Sequence, residues 1–504
     1  MPGWVRIALV FFASFAILSY QVWRTPLADG YVDTVGRIAA QDEALYSHIA
    51  LRMASDGEWL TPKFLGRLAL FKPPLLYWAS AASVRFFGNP VFALRLPSLL
   101  AGAAVAALLF AILGGWPGAV GVLLLLGDPL WHTLSRLALT DALLAAFSVA
   151  ALHGVTRSLM PQFAVCTAGA ILTKGIAGLI PMVALVLWWL LSPGASRWPI
   201  RKLARWLASP LPAVMLWVGT QLWLHPRWFW TEFVEVEILG YSLGAPPQTS
   251  AENPLLFYLK RIALTDALLL AVLAGAILRK WRDPSARIWL ALVAAVIVAV
   301  AGNQYRNIAY VLPAIPALCL LGGSLAGRHA RAVSLPLGLI LVFRATQPAE
   351  PWGLRYQPLH NVTVRPALER YAQLERTKDL LIVDSEDEFA ATTLGLRQVR
   401  YVYFGGLEGY QRYGLDFRQL GIVVTLEEWK DLKARLPVYR QRLREWGLDS
   451  TEPVATVILL RDATELPELL RASPHADFLL RQRTTSPSHE LRELEGGRVF
   501  LYAQ

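Results

Sequence analysis

Cysteine and charge are both scarce in this chain. It contains only two cysteines in 504 residues, Cys166 and Cys319. Both lie inside apolar runs, so no disulfide framework or thiolate metal site is visible, and we interpret them as small hydrophobic residues. Charged residues make up 17% of the chain, whereas soluble globular domains carry about 25%. This deficit argues against a soluble protein.

The first apolar run, residues 7–23, is followed by no clear small-residue cleavage site. We therefore predict an uncleaved first membrane span rather than a secretory signal peptide. Long apolar runs recur as far as residue 342, and about 20 apolar residues cross a bilayer as a helix. This pattern predicts a polytopic α-helical membrane protein with about eleven spans. The spans are predicted at residues 6–24, 92–113, 116–132, 139–156, 161–173, 176–193, 206–224, 257–278, 287–302, 309–326 and 331–345.

The net charge of +11 would suggest a nucleic-acid partner in a soluble protein. Here the basic residues fall in short loops between predicted spans, and short basic loops mark the cytoplasmic side. We therefore predict no nucleic-acid partner, contacts with membrane lipids, and a cytoplasmic N-terminus. The basic residues of these loops are Arg157, Arg197, Arg201, Lys202, Arg205, Arg279, Lys280, Arg282, Arg287, Arg328 and Arg331.

With an odd number of spans, five ionisable residues and the C-terminal region all fall on the outer side. The five residues are Asp42, Lys72, Asp141, Lys174 and Arg306. Charge next to lipid is costly and therefore marks candidate functional groups. A carboxylate can take a proton from an attacking hydroxyl, and an ammonium can hold a phosphate. The combination suggests group transfer from a lipid-linked phosphate, although helix capping by the aspartates and snorkelling of Lys72 are simpler alternatives.

Two further regions are distinct from the spans. Residues 25–91 are too polar to cross a membrane, and we expect juxtamembrane helices there, the first over Asp42–Ser55. Residues 225–256 are rich in aromatic side chains and are either a lid over a lipid or an ordinary interfacial anchor.

Residues 346–504 are charged, and short β-rich runs alternate with amphipathic stretches. This alternation predicts an extracytoplasmic α/β domain following a membrane domain of residues 1–345. The runs expected to form strands are Leu380–Val383, Val399–Phe404, Ile422–Thr425, Val454–Leu460 and Val499–Tyr502.

Six short motifs follow one another along the membrane domain. They are Asp42-Glu43-Ala44-Leu45-Tyr46, Gly57-Glu58-Trp59-Leu60-Thr61-Pro62, Phe71-Lys72-Pro73-Pro74-Leu75-Leu76-Tyr77-Trp78, Phe92-Ala93-Leu94-Arg95-Leu96-Pro97-Ser98, Leu172-Thr173-Lys174-Gly175 and Tyr310-Val311-Leu312-Pro313. As an ordered set they resemble the bacterial aminoarabinose transferase family. That family is grouped with the protein O-mannosyltransferases among the membrane glycosyltransferases of the GT-C fold.

The resemblance implies an enzyme that takes a sugar from a polyprenyl phosphate, such as undecaprenyl phosphate, at the outer face of the bacterial inner membrane. The acceptor would be a lipid, such as lipid A, or a protein. Asp42 would be the catalytic carboxylate, with Asp141 close to it. Lys72 and Arg306 would bind the donor phosphate, and Lys174 is a further candidate from its position. Other predicted substrate-binding residues are Glu43, Tyr46, Tyr77 and Tyr310.

The chain departs from the family pattern at two positions. Leu45 stands where the family often has an arginine. Phe71 stands where the family often has a glutamate, which in relatives is associated with a metal site. No two of His48, His132 and His225 have a metal-like spacing. No cofactor is therefore assigned, and a divalent metal, which the resemblance leaves open, is disfavoured.

Two other classes of function compete with a glycosyltransferase. A polytopic transporter or flippase of lipids or saccharides would place charges in mid-membrane and repeat its halves, which this sequence does not do. A scaffolding protein with an outer domain would have no use for Asp42, Asp141 and Lys72 together.

Overall fold

The computed structural model describes residues 2–346, except 23–27, 33–41, 65–66, 71, 88–89, 195–196, 243–252 and 304–305, and beyond residue 346 it describes strands alone. The chain divides into two compact units. The first comprises residues 1–25, 30–62 and 70–357, and the second comprises residues 26–29, 63–69 and 358–504. The boundary expected after residue 345 stays a prediction.

The first unit is built of α-helices. Those of the described residues are α1 Gly3–Ser19, α2 Asp42–Asp56, α3 Leu75–Phe86, α4 Pro90–Leu113, α5 Gly115–Gly127, α6 Pro129–Leu134, α7 Thr140–Thr156, α8 Met160–Lys174, α9 Ile180–Leu191, α10 Ile200–Ala208, α11 Leu211–Leu224, α12 Pro226–Phe229, α13 Pro254–Lys280, α14 Pro284–Gly302, α15 Ile315–Ala326 and α16 Ala330–Thr346. Shorter 3-10 helices cover Gly175–Leu179, Ile308–Ala314 and Gly327–His329, and Trp230–Ser242 is π-helical.

An apolar helix overlaps each of the eleven intervals where a span was predicted, and several of these helices begin or end a few residues outside the interval. By length and composition, five helical runs in the described residues are long enough to cross a membrane, and a pair bent by 114° within α13 would make a sixth. Three shorter apolar helices are α1, α5 and α7. The fold class of a polytopic α-helical membrane protein is confirmed, and the number of eleven crossings stays a prediction.

The expected juxtamembrane helix is present as α2. Asp42 and Glu43 occupy its first turn, where the partial positive charge of the helix N-terminus stabilises negatively charged side chains. Tyr46, Ile49 and Met53 recur at helical spacing and are buried, so one apolar stripe packs inward. α2 packs on α3, and α3 packs on α4.

Helix α7 contacts several other elements of the first unit. It packs along α8 and also contacts α4, α9 and the 3-10 helix Ile308–Ala314. Because α7 begins with Thr140-Asp141 and α8 ends with Lys174, side-by-side packing of these two helices brings an aspartate and a lysine together.

The strands of the structure are β1 Ala28–Val32, β2 Lys63–Phe64, β3 Arg67–Leu68, β4 Arg355–Pro358, β5 Leu380–Val383, β6 Tyr401–Tyr403, β7 Gly421–Thr425, β8 Thr456–Ile458, β9 Phe478–Gln482, β10 Glu490–Leu494 and β11 Val499–Ala503. In the second unit, β6, β7, β5 and β8 form a parallel sheet in that order, and β11 pairs with β9 and β10. All five runs expected to form strands contain one. Parallel neighbours require crossover connections, and the amphipathic stretches predicted there lie outside the described residues.

Candidate functional site

A cavity of about 290 Å³ lies within the first unit. Among the described residues, four charged side chains line it: Lys72, Asp141, Lys174 and Glu237. The rest of its wall is mostly apolar, which is typical of a binding site where a few polar groups fix the ligand. The other lining residues are Leu144, Ile176, Ala177, Ile180, Val298, Ala299, Val300, Gly302, Asn303, Tyr310 and Pro313.

Asp141 and Lys174 form an ion pair in this cavity. Lys174 Nζ lies 2.5 Å from Asp141 Oδ1, and the side chains are only 12% and 7% exposed. The ammonium also lies 5.1 Å from the centre of the Tyr310 ring, a cation–π distance. Gly175 ends α8 immediately after the lysine with a φ of +57°, a conformation that glycine adopts at little cost. The local sequence therefore fixes Lys174 at the end of its helix.

Lys72 enters the cavity from the turn that precedes α3, where Pro73 and Pro74 stand before the helix. Its ammonium forms an ion pair with the carboxylate of Glu237. The pKa of Lys72 is lowered to about 8, because burial and the charge of Lys174 lower it by more than Asp42 and Asp141 raise it. Pairing with Glu237 favours the charged form, so Lys72 is a cation at neutral pH. Three of these charged groups, Lys72, Asp141 and Lys174, line the same cavity.

Asp42 stands beside this cavity rather than in its lining. Its Oδ2 accepts a hydrogen bond of 3.0 Å from the hydroxyl of Tyr46, one turn further along α2. Burial raises the pKa of the Tyr46 phenol well above its usual value, and Asp42 and Asp141 both add to the rise. The negative charges of both predicted catalytic carboxylates therefore act on the Tyr46 phenol. The Tyr77 ring packs 5.7 Å from that of Tyr46, and the buried Tyr77 hydroxyl has no hydrogen-bond partner among the described residues.

Glu43 is turned away from the cavity, unlike its neighbour Asp42. Its carboxylate makes two parallel contacts with the Arg95 guanidinium, 2.7 Å from Nε and 2.9 Å from Nη2. The same carboxylate accepts a hydrogen bond of 2.8 Å from the backbone N–H of Ala138. The two side chains are 2% and 1% exposed. This geometry favours a structural task for Glu43 over the substrate contact predicted from the sequence.

Arg306 precedes the 3-10 helix that carries Tyr310, yet it is not among the residues that line the cavity. The next residue, Asn307, donates its backbone N–H to the Tyr258 hydroxyl at 3.4 Å. The predicted contact of Arg306 with a donor phosphate stays a prediction.

The histidines that the structure describes show no metal-like arrangement. Among the described residues, no group of three or more His, Cys, Asp or Glu side chains is placed to hold an ion. Burial lowers the pKa of His48 to about 3, and His225 lies 3.3 Å from the Thr61 hydroxyl. Phe71, which replaces the glutamate of the resembled family, lies outside the described residues. The absence of a metal requirement stays a prediction.

The sequence analysis assigned no role to two charged residues, Glu237, which lines the cavity, and Arg95, which pairs with Glu43. Each carried a signal, because Glu237 is an acid in an aromatic juxtamembrane segment and Arg95 is a charge in an apolar run, and both settings mark candidate functional groups.

Comparison with known proteins supports the resemblance to membrane glycosyltransferases. The model of the dolichyl-phosphate-mannose-protein mannosyltransferase family matches residues 71–223. An undecaprenyl phosphate-alpha-4-amino-4-deoxy-L-arabinose arabinosyl transferase of Edwardsiella ictaluri is 25% identical over 400 residues, which are 71% of this chain and 67% of that protein. A protein of the same name from Pseudomonas paraeruginosa is 30% identical over 333 residues, 59% of this chain and 57% of its own.

The fold is also that of a solved structure. The crystal structure of ArnT from Cupriavidus metallidurans bound to undecaprenyl phosphate matches with a TM-score of 0.66 at 17% identity, covering 97% of this chain and 96% of that one. Together the comparisons confirm the resemblance, the GT-C fold and the class of enzyme, a glycosyltransferase. They also favour a multi-pass membrane enzyme over a transporter.

Proposed function

We propose that this chain, an aminoarabinose-transferase-like glycosyltransferase of the GT-C fold, transfers a sugar from an undecaprenyl phosphate donor to a lipid A-like acceptor. The relatives are named for an undecaprenyl phosphate-linked amino sugar, and the structural neighbour is bound to undecaprenyl phosphate. The observation that carries the proposal is the meeting of Lys72, Lys174 and Asp141 in one mostly apolar cavity.

The reaction is a single displacement with inversion at the anomeric carbon. An acceptor oxygen forms the new bond to that carbon while the bond from the carbon to the phosphate oxygen breaks. The electron pair of the broken bond leaves with the undecaprenyl phosphate. Negative charge therefore grows on the phosphate as the reaction proceeds, and this is the charge that the protein has to stabilise.

Lys72 and Lys174 stabilise this charge. Both ammonium groups face a cavity with few polar atoms, and fixed cations in such surroundings act more strongly than in water. The ring of Tyr310 and the carboxylate of Asp141 hold Lys174 in position. Arg306 is a third cation proposed for the phosphate.

Asp42 acts on the acceptor. If the acceptor is a hydroxyl, Asp42 takes its proton as the new bond forms, and such general-base catalysis contributes about 10²–10⁴ in rate. If the acceptor is a phosphate oxygen, no proton has to leave, and Asp42 and Asp141 orient the nucleophile instead. The hydrogen bond from Tyr46 fixes the direction of the Asp42 carboxylate.

The proposed location is the outer face of the bacterial inner membrane, with a cytoplasmic N-terminus and a periplasmic C-terminal domain. The basic loops support this orientation by the positive-inside rule. The donor phosphate would then lie near the outer membrane surface, where the juxtamembrane helices α2 and α3 carry Asp42, Tyr46 and Tyr77.

The test is transfer by the purified full-length chain in lipid nanodiscs. The donor is undecaprenyl phosphate carrying 4-amino-4-deoxy-L-arabinose, the acceptor is lipid A, and mass spectrometry follows both. We expect lipid A to gain one sugar and undecaprenyl phosphate to appear in equal amount. An intact donor after prolonged incubation would refute the proposal, as would transport of the donor across the bilayer of proteoliposomes without bond cleavage. A panel of other undecaprenyl-linked sugars and a peptide acceptor in the same assay would define the specificity.

A further inference from the structure

The lysine assigned to the donor phosphate is already engaged by an anion of the protein. Lys72 forms an ion pair with Glu237 of the segment Trp230–Ser242, and the two side chains are 17% and 16% exposed. Both also line the cavity. A carboxylate and a phosphate are alternative partners for the same ammonium group, so the Glu237 carboxylate occupies the position where a donor phosphate would pair.

We propose that Glu237 is an internal substitute for the donor phosphate. Its carboxylate pairs with Lys72 while the cavity is empty, and Lys72 changes partner from this carboxylate to the phosphate when the donor binds. The inference rests on the proposed function, because it takes Lys72 as a ligand of a polyprenyl phosphate. Electrostatics favours the exchange: a carboxylate and a phosphate that approach the same cation repel each other, and a mostly apolar cavity screens this repulsion poorly.

The rest of the segment is held independently of Glu237. The carboxylate of Glu232 accepts a hydrogen bond of 3.0 Å from the backbone N–H of Leu70. The Phe233 ring packs 5.0 Å from that of Phe229 and 5.6 Å from that of Trp217. These contacts fix the segment beside Lys72, so rotation of the Glu237 side chain is sufficient for the exchange.

The pairing of Glu237 with Lys72 has a cost and a benefit for the reaction. Glu237 competes with the donor, so it weakens phosphate binding. In return, it keeps Lys72 charged in a site whose burial lowers the pKa of this lysine to about 8. After transfer the released phosphate carries more negative charge than the donor diester, and the returning carboxylate favours its departure.

The experiment is equilibrium binding of undecaprenyl phosphate to the full-length protein in nanodiscs at pH 6.5, which lies below the pKa of Lys72 of about 8. We expect Glu237→Gln to bind roughly three- to thirtyfold more tightly than the wild type, the range for removing a competing charge from a close pair. Glu235→Gln is the matched control, because Glu235 is an exposed acid of the same segment that does not line the cavity. It should bind as the wild type does.

A second readout separates a charge effect from a structural one. A paired carboxylate favours the charged form of a lysine, so binding by Glu237→Gln should weaken at a lower pH than binding by the wild type. Glu237→Ala should behave as Glu237→Gln does, which guards against a variant that fails to fold. Unchanged or weaker binding by both variants would overturn the proposal.

Lys72→Met distinguishes the two levels of inference. If the wild type binds undecaprenyl phosphate and Lys72→Met does not, the phosphate site stands. In that case, binding by Glu237→Gln equal to that of the wild type overturns only the proposal that Glu237 replaces the phosphate. If wild type and Lys72→Met bind equally, or neither binds, the proposed phosphate site fails and the inference fails with it.

Discussion

The ion pair between Glu43 and Arg95 allows the sharpest prediction of stability. It joins the first turn of α2 to α4 through two contacts of 2.7 and 2.9 Å, and both side chains are almost fully buried. Glu43 also accepts the Ala138 amide just before α7. One carboxylate thus connects the two elements that carry Asp42 and Asp141.

Replacing Arg95 by Met leaves the Glu43 carboxylate buried without its cationic partner, while the hydrogen bond from the Ala138 amide stays in place. Removal of one partner from a buried pair costs about 3–5 kcal/mol, because the other charge stays uncompensated. Arg95→Met combined with Glu43→Leu should cost less than Arg95→Met alone, since no buried charge is then left unpaired. The Ala138 N–H would still lose its acceptor, at a cost of about 1–3 kcal/mol.

Thermal unfolding in one detergent, at fixed protein concentration, measures these differences. Arg52→Gln is the matched control, because Arg52 pairs with Asp56 at 3.0 Å on the same helix with side chains 21% and 30% exposed. Such a pair is worth at most about 1 kcal/mol. Arg95→Met should therefore unfold well below Arg52→Gln. Equal melting temperatures for the two variants, or a double variant less stable than Arg95→Met, would refute the reasoning.

Two further predictions concern the reaction. Turnover should fall as pH rises through about 8, because the pKa of Lys72 lies there and the amine loses its charge above it. Lys72→Arg should keep its charge at higher pH, and a pH–rate profile that falls at the same pH in both proteins would assign the loss to another group. Tyr46→Phe removes the hydrogen bond to Asp42 and should lower kcat by roughly two- to tenfold, the value of one such bond. Steady-state kinetics of sugar transfer test this, and an unchanged kcat would mean that Tyr46 does not orient Asp42.

The membrane architecture could be anticipated because it depends on local hydrophobicity. Apolar runs, loop charge and helical spacing locate the helices, including α2, and the β-rich runs of the second unit each contain a strand. The number of crossings could not be fixed in this way. Helices α1, α5 and α7 are shorter than a span, and composition does not show how short helices tilt or pair.

The meeting of Asp141, Lys72 and Lys174 could be expected from their common side of the membrane, but the orientation of each side chain could not. Asp42 and Glu43 are neighbours in sequence, yet successive residues of a helix point about 100° apart. Asp42 therefore lies beside the cavity, whereas Glu43 is buried in its ion pair with Arg95. The pairing of Lys72 with Glu237 joins residues that are 165 positions apart. No local pattern encodes such a contact.

The central claim is that Asp42 and the cavity lysines form one catalytic site for cleavage of a polyprenyl phosphate sugar. The most direct test is the rate of undecaprenyl phosphate release by wild type and Asp42→Asn at saturating donor, with donor affinity measured on the same samples. The account predicts that Asp42→Asn binds the donor as the wild type does and loses about 10²–10⁴ in kcat if a hydroxyl is the acceptor. Release at the wild-type rate would contradict it.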